Sequence, residues 1–191
     1  LQHILAPAFQ LESAVDAFRY DVGRDLSGYE DGTENPDGED ALKAGFVANQ
    51  GPGLDGSSFV AVQKWLHNFD LFNAMDTHEQ DNTIGRRISD NSEIDDAPES
   101  AHVKRTAQED FSPEAFVLRR SMPWNNEHQA GLIFVAFADS FYAYEALLNR
   151  MTGNEDGIPD ALFRFTHPVD GSYFWCPPML DGSPDLSALG L

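Results

Sequence analysis

The sequence predicts an α+β fold built on an antiparallel sheet, and three observations carry that prediction. Segments with strand periodicity and segments with helix periodicity coexist within 191 residues. The strand-like segments are hairpin-like and do not alternate regularly with helices, as they would in a parallel α/β chain. The longest apolar run, 130–138 (AGLIFVAFA), has the length of one buried central strand. It falls far short of the roughly 18 residues a membrane-spanning helix needs.

Each element has its own signal. Residues 1–13 read as a short helix or the end of a linker. The stretch 14–22 (AVDAFRYDV) alternates imperfectly, as a strand would. Residues 25–56 are rich in glycine and acids and read as one long loop, a kind of segment that often carries function. In 57–65 (SSFVAVQKW) a strand puts Phe59, Ala61, Gln63 and Trp65 on one face and Val60, Val62 and Lys64 on the other. A helix is expected over 68–85, starting near Asp70, followed by a polar, acidic loop over 90–109. Residues 115–122 (AFVLRRSM) form a strand stopped by Pro123. After the central strand, Asp139 or Ser140 caps a helix whose Phe141, Tyr144, Leu147, Leu148 and Met151 share one stripe, ended by Gly153. Segments 162–166 and 172–176 close the chain as strands joined by a turn at Asp170–Gly171. No repeat or low-complexity tract divides the chain, which reads as one domain over 1–191.

Composition bounds the partners. Twelve Lys and Arg against 32 Asp and Glu leave a net charge of −20. Such a polyanion repels nucleic-acid phosphates and anionic membranes, so neither is an expected partner. It suits neutral or cationic substrates. The single cysteine, Cys176, excludes an internal disulfide. No signal segment follows Leu1, which with the lack of disulfides favours the cytoplasm.

Three segments carry candidate chemistry. In Gly28-Tyr-Glu-Asp31-Gly32-Thr-Glu-Asn-Pro36, flexible glycines flank an acid and allow close approach of backbone to a flat ligand; a solvated acidic turn has the same composition. In Ser100-Ala-His102-Val, small residues flank a histidine, which suits either a haem-iron ligand or a surface histidine. In Val117-Leu-Arg119-Arg120-Ser121-Met-Pro-Trp124, two cations sit in an apolar strand. Only one of them can point inward, and an inward one requires an anionic partner. Otherwise the two are surface arginines on an acidic protein.

These segments, with Ser57–His67, Ile84-Gly-Arg86 and Pro168-Val-Asp-Gly-Ser-Tyr-Phe174, together resemble the dye-decolourising peroxidase family, the bacterial type-B branch in particular. The resemblance runs from about residue 10 to about residue 180. It implies a ferredoxin-like antiparallel sheet with helices, of the dimeric α+β barrel type, whose first ferredoxin-like half is largely missing here. The chain then corresponds to the C-terminal portion of the family's usual chain, as a fragment, a clipped product or a natural short form. The resemblance also implies haem b as cofactor and hydrogen peroxide with small aromatic reductants as substrates. It makes a homo-oligomer the expected assembly.

Residue by residue, His102 matches the iron ligand on the proximal side. Asp31 matches the distal acid and Arg119 the distal arginine. Ser121 stands where many members carry Asn and others Ser. Arg86 lies near a position that contacts a haem propionate, and Gly32 and Thr33 belong to the cofactor-binding signature. Some members bond the proximal imidazole to an acid near position 164. This chain has Arg there, so the sequence leaves the partner of His102 unassigned, with Asp160 as one candidate.

The implied chemistry is proton transfer between the two peroxide oxygens by Asp31, kept ionised by a neighbouring guanidinium. Large dyes cannot reach a buried haem, so their electrons would pass through a Tyr or Trp near the surface. A haem carrier or sensor of the same fold, without turnover, is the alternative reading, and a cofactor-free acidic domain is the third.

Overall fold

A computed structural model of the chain describes residues 2–191. Its centre is an antiparallel sheet made by β1 (Ser58–His67), β2 (Leu118–Arg119), β3 (Met122–Asn125), β4 (Ala130–Ala138) and β5 (Thr166–Cys176). The strand order is β2/β3-β4-β1-β5. Both β1 and β2/β3 pair antiparallel with β4 and therefore run parallel to each other, with helices in the connection between them. This is the split βαβ arrangement of a ferredoxin-like fold, as the resemblance implies. The sheet is open, with β5 at one edge and β2/β3 at the other.

Register sorts the side chains. Ala61, Gln63 and Trp65 lie opposite Ala136, Phe134 and Leu132, so all six share a face with each other and with Arg119. That face meets α6 (Tyr142–Met151): Ala143 and Leu147 pack with Ala136, Ala138, Ala115 and Val117 in one buried cluster. Gly131 has no freedom to carry a side chain, because a Cβ there would sit 1.9 Å from the Trp65 carbonyl oxygen. The same oxygen accepts a hydrogen bond from the Trp124 indole, 3.1 Å away.

Several expected elements differ. Residues 14–22 form no strand; Ala17 makes a single bridge to Trp124, and the apolar side chains Val15, Phe18 and Val22 stay exposed. The long loop 25–56 contains a helix, α2 (Gly38–Gly45), with Glu39 and Asp40 in its first turn and Lys43 in its last, where they complement the helix dipole. The expected helix 68–85 is two helices, α3 (Phe69–Ala74) and α4 (Thr77–Ile84). Met75 is extended, and Asp76 restarts the helix by accepting a hydrogen bond from the Glu79 amide. Pro123 does not end a strand but lies within β3, opposite Leu132, a strand whose far side is met only by the bridge from Ala17.

Of the expected strand 162–166 only Thr166, the first residue of β5, is extended sheet: Ala161–Arg164 is a 3₁₀ turn capped by Asp160. No turn occurs at Asp170–Gly171, because β5 runs unbroken through it. Instead the register slips beside Lys64 and Trp65, which pair with Asp170 and Pro168 and leave Val169 as the extra residue of a bulge. Within the acidic stretch 90–109 lies a one-turn helix, α5 (His102–Arg105).

Candidate functional site

Between the sheet and the helices lies a cavity with about 1510 Å³ of non-atom space, its open mouth included. The sheet supplies Trp65, Val117, Arg119, Leu132 and Phe134, and the helices supply His102, Val103, Leu147, Leu148 and Met151. Six of the seven predicted site residues, Asp31, Gly32, Thr33, Arg86, His102 and Arg119, line this cavity, although they come from four separate stretches of chain. Ser121 does not. It lines a smaller adjoining cavity, with about 240 Å³ of non-atom space, that it shares with Asp31 and Leu132.

His102 opens a single helical turn that could not hold itself. Its surroundings hold it. Gly85, the left-handed C-cap of α4, lets that helix end directly against α5: a Cβ on Gly85 would lie 3.0 Å from Val103. Arg105, one turn on, is buried and makes two hydrogen bonds to Asp156, at 2.7 and 2.8 Å, and a third to the Arg150 carbonyl at the end of α6. The Arg105 hydrogen bond pulls the Asp156 carboxyl below its usual range.

The imidazole itself is fixed by Asp160, whose side chain has no exposed surface. One oxygen of Asp160 accepts from His102 Nδ1 at 2.7 Å and the other from the Leu162 amide at 2.8 Å. A carboxylate only accepts, so Nδ1 carries the proton and Nε2 has its lone pair available. That is the tautomer an imidazole needs to ligate a metal, with a carboxylate behind it.

The other group of polar residues is held from the loop side. Arg119 points into the cavity and Arg120 is exposed, as the strand alternation demands. Arg119 Nη1 lies 3.7 Å from Asp31 Oδ1, an ion pair too long for a hydrogen bond. The Nε of Arg119 is buried and has no partner. What joins the loop to the strand is Asn35. Its amide donates to the Arg119 carbonyl at 3.0 Å and accepts from the Arg119 amide at 2.7 Å, so one side chain imitates a neighbouring strand. Gln108 adds a second strap, donating to the Glu34 carbonyl and accepting from the Val117 amide.

Arg86 lines the cavity with its guanidinium between Glu34 and Glu93 and on the Asn91 carbonyl. Sequence reasoning missed the foundations of this loop. His67, at the end of β1, accepts or donates to Thr166 Oγ1 at 2.6 Å and meets Asp25 Oδ1 at 3.1 Å. Burial alone would raise the Asp25 carboxyl, but hydrogen bonds and charge from His67 and hydrogen bonds from Ser27 outweigh it and hold it below its usual value. Tyr29 is buried beside Asp31 and donates to Asp81 at 2.5 Å, which fastens the same loop to α4. The signal for these was present only as polar residues in or next to recognisable segments: Asp25 precedes the signature, Tyr29 lies within it, and His67 ends a strand.

The family model for Dyp-type peroxidase, C-terminal, matches residues 22–181. The chain belongs to the Dyp-type peroxidase family. A dye-decolorizing peroxidase of Rhodococcus erythropolis is 38% identical over 95% of this chain and 55% of its own length. One from Mycolicibacterium paratuberculosis is 34% identical over 97% of this chain and 55% of its own. Among solved structures, a dye-decolorizing protein from V. cholerae matches with a TM-score of 0.84 at 31% identity, covering 92% of this chain and 59% of that one. A Rhodococcus jostii RHA1 DypB variant in complex with heme matches with a TM-score of 0.85 at 33% identity, covering 92% and 59%. The chain thus spans about half the length of the curated relatives it matches. Among the described residues no helix is long and apolar enough to cross a membrane.

Proposed function

We propose that this chain is the haem-bearing part of a peroxidase that uses hydrogen peroxide to oxidise dyes, phenols and similar one-electron donors. The observation that carries the reading is the imidazole of His102, oriented by a buried carboxylate, in one apolar-walled cavity with an Asp31–Arg119 pair. The residues fit a haem. A deep cavity with apolar side chains from sheet and helices suits a porphyrin. His102 Nε2 suits its iron, Arg86 and Thr33 its carboxylates, and the unpartnered Arg119 Nε leaves a donor for a ligand in the cavity. The heme in a solved relative with the same fold supports the same assignment.

The group supplies, when bound, an iron that accepts a peroxide oxygen and stores two oxidising equivalents. The chain supplies the rest. Asp160 keeps the Nδ1 proton of His102 and orients the ring, which makes Nε2 a stronger donor. A carboxylate oxygen of Asp31 can take the proton from one peroxide oxygen and return it to the other. The Arg119 guanidinium, 3.7 Å from Asp31, would neutralise charge on the departing oxygen. Phe134, Leu132, Leu147 and Leu148 keep water from the site.

Stopped-flow mixing of the haem-loaded protein with peroxide tests the assignment. Asp31→Ala and Arg119→Leu should each slow the spectral change by about 100–1,000-fold while still binding haem. If both variants react at the wild-type rate, the proton-transfer assignment is wrong. If the wild-type protein binds haem but oxidises no phenol with peroxide, the chain is a carrier or sensor.

A further inference from the structure

We propose that His67 is a positioning residue for proton transfer at Asp31, and that it works as an imidazolium, with a proton on each ring nitrogen. Loss of one of those protons would set the alkaline limit of the reaction with peroxide. This rests on the peroxidase reading.

The hydrogen-bond count points to the charged ring. Burial would raise the Asp25 carboxyl, but His67 and Ser27 hold it below its usual value, so at neutral pH it is a carboxylate and only accepts. His67 Nε2, 3.1 Å from Asp25 Oδ1, therefore carries a proton. Nδ1 lies 2.6 Å from Thr166 Oγ1, and that hydroxyl also donates to the Leu66 carbonyl at 3.1 Å. A threonine hydroxyl has one proton and a carbonyl only accepts. With that proton on the Leu66 oxygen, the short contact at Nδ1 requires a second ring N–H. The side chains of His67 and Asp25 are 5% and 14% exposed, so salt screens the pair weakly.

The loop carries this charge state to Asp31. Residues 23–31 form one hairpin: the Asp25 amide donates to the Tyr29 carbonyl at 2.9 Å, and the Asp31 amide to the Gly23 carbonyl at 3.0 Å. Arg24 braces it, with its guanidinium on the Gly28 carbonyl and on Glu30. Asp25 and Asp31 are thus parts of one body, held to the sheet at His67 and to α4 through Tyr29. A neutral His67 leaves Asp25 a buried anion with no cation against it, which is costly. The hairpin relieves that cost by moving toward water, and Asp31 moves with it, away from Arg119.

Among the described residues, Asp25 is the one charged group bonded to the ring. On the neighbouring elements, Asp70 of α3 and His167 of β5 are exposed, and Asp81 of α4 is occupied by Tyr29. The cations of the cavity wall are engaged elsewhere, Arg86 with Glu34 and Glu93 and Arg119 beside Asp31. No other histidine fits the role: His3, His78, His128 and His167 are exposed, and His102 is bonded to Asp160.

Two readouts test this. Ring-nitrogen NMR of the histidine-labelled chain, in its haem-loaded, diamagnetic ferrous carbonyl form, should show two N–H groups on His67 at neutral pH and one at the alkaline end. Stopped-flow mixing with peroxide should give a rate that falls at both ends of the pH range, the alkaline fall following the same proton. His67→Gln keeps one N–H for Asp25 but cannot titrate. Its alkaline fall should vanish, its acid fall should stay, and its plateau should drop by up to about 100-fold, the cost of about an ångström of misplacement. Thr166→Val, which removes the acceptor at Nδ1, should move the alkaline fall to lower pH, and Thr166→Ser should restore it. A single ring N–H at neutral pH, or an alkaline fall unchanged in His67→Gln and in Thr166→Val, overturns the role of His67 and leaves the peroxidase reading intact. A wild type that binds haem and does not react with peroxide overturns the peroxidase reading itself, while the NMR signal still reports the charge on His67.

Discussion

The two sides of the cavity are held in opposite ways. On the helical side, His102 is gripped directly: its own Nδ1 is bonded to a wholly buried carboxylate, and the backbone around that carboxylate is tied back, Ala161 donating to the Ser100 carbonyl at 2.7 Å. On the loop side, Asp31 and Arg119 are not bonded to each other, and their positions come from neighbours, Asn35 on the Arg119 backbone and Asp25 on His67. On the proposed reading, the direct grip on His102 fixes an iron ligand in one orientation, and an Asp31 side chain not bonded to Arg119 can turn toward either peroxide oxygen.

That contrast can be broken from either side. On the helical side, Asp160→Asn should weaken haem binding about 10- to 100-fold, read from a Soret titration, because it removes the acceptor that sets the tautomer and basicity of His102. If binding is unchanged, the carboxylate is only a cap for the turn that follows it. On the loop side, Asn35→Ala should leave haem binding intact but cost about 1–3 kcal/mol in denaturant unfolding, since it leaves two backbone groups of Arg119 without partners. It should also slow the reaction with peroxide. A variant as stable and as fast as wild type would show that the loop docks without this clamp.

The smallest effect concerns acid. Asp25 has a lowered value in the folded chain, so its contribution is present above the ordinary carboxylate value near 3.8 and is lost as pH falls through the lower folded value. Asp25→Asn should therefore be less stable than wild type at neutral pH, with the gap closing below about pH 4. A gap that widens in acid contradicts the His67–Asp25 pairing.

The sheet was the part most open to sequence reading. β1 and α6 show their periodicity, and β4 shows as an unbroken apolar run of strand length. Segments whose shape depends on partners far away were hidden. β5 looks like two strands because its bulge at Val169 is imposed by β1. α5 is one turn long, too short to have a pattern, and exists because Gly85, Arg105 and Asp160 hold it. The site shows the same division. Asp31, His102 and Arg119 stand in recognisable segments, but that they share a cavity follows from the fold alone. Asp160 sits 58 residues from His102 with no spacing rule to find it. Asn35 was inside the quoted signature and had no visible role, because its partner is 84 residues on. Ser121 was placed with the cofactor by motif; it stands between β2 and β3 and lines the smaller cavity, which shares Asp31 with the larger one.

The central claim is that His102 Nε2 is the chain's hold on a haem iron. Titration of the purified protein with ferric haem, followed by its Soret band, tests it most directly. The wild type should give a saturable, sharp band at one haem per chain. His102→Ala should lose it, and added imidazole should restore it by filling the space the ring left. A His102→Ala protein that binds haem with the wild-type spectrum and affinity would contradict the account.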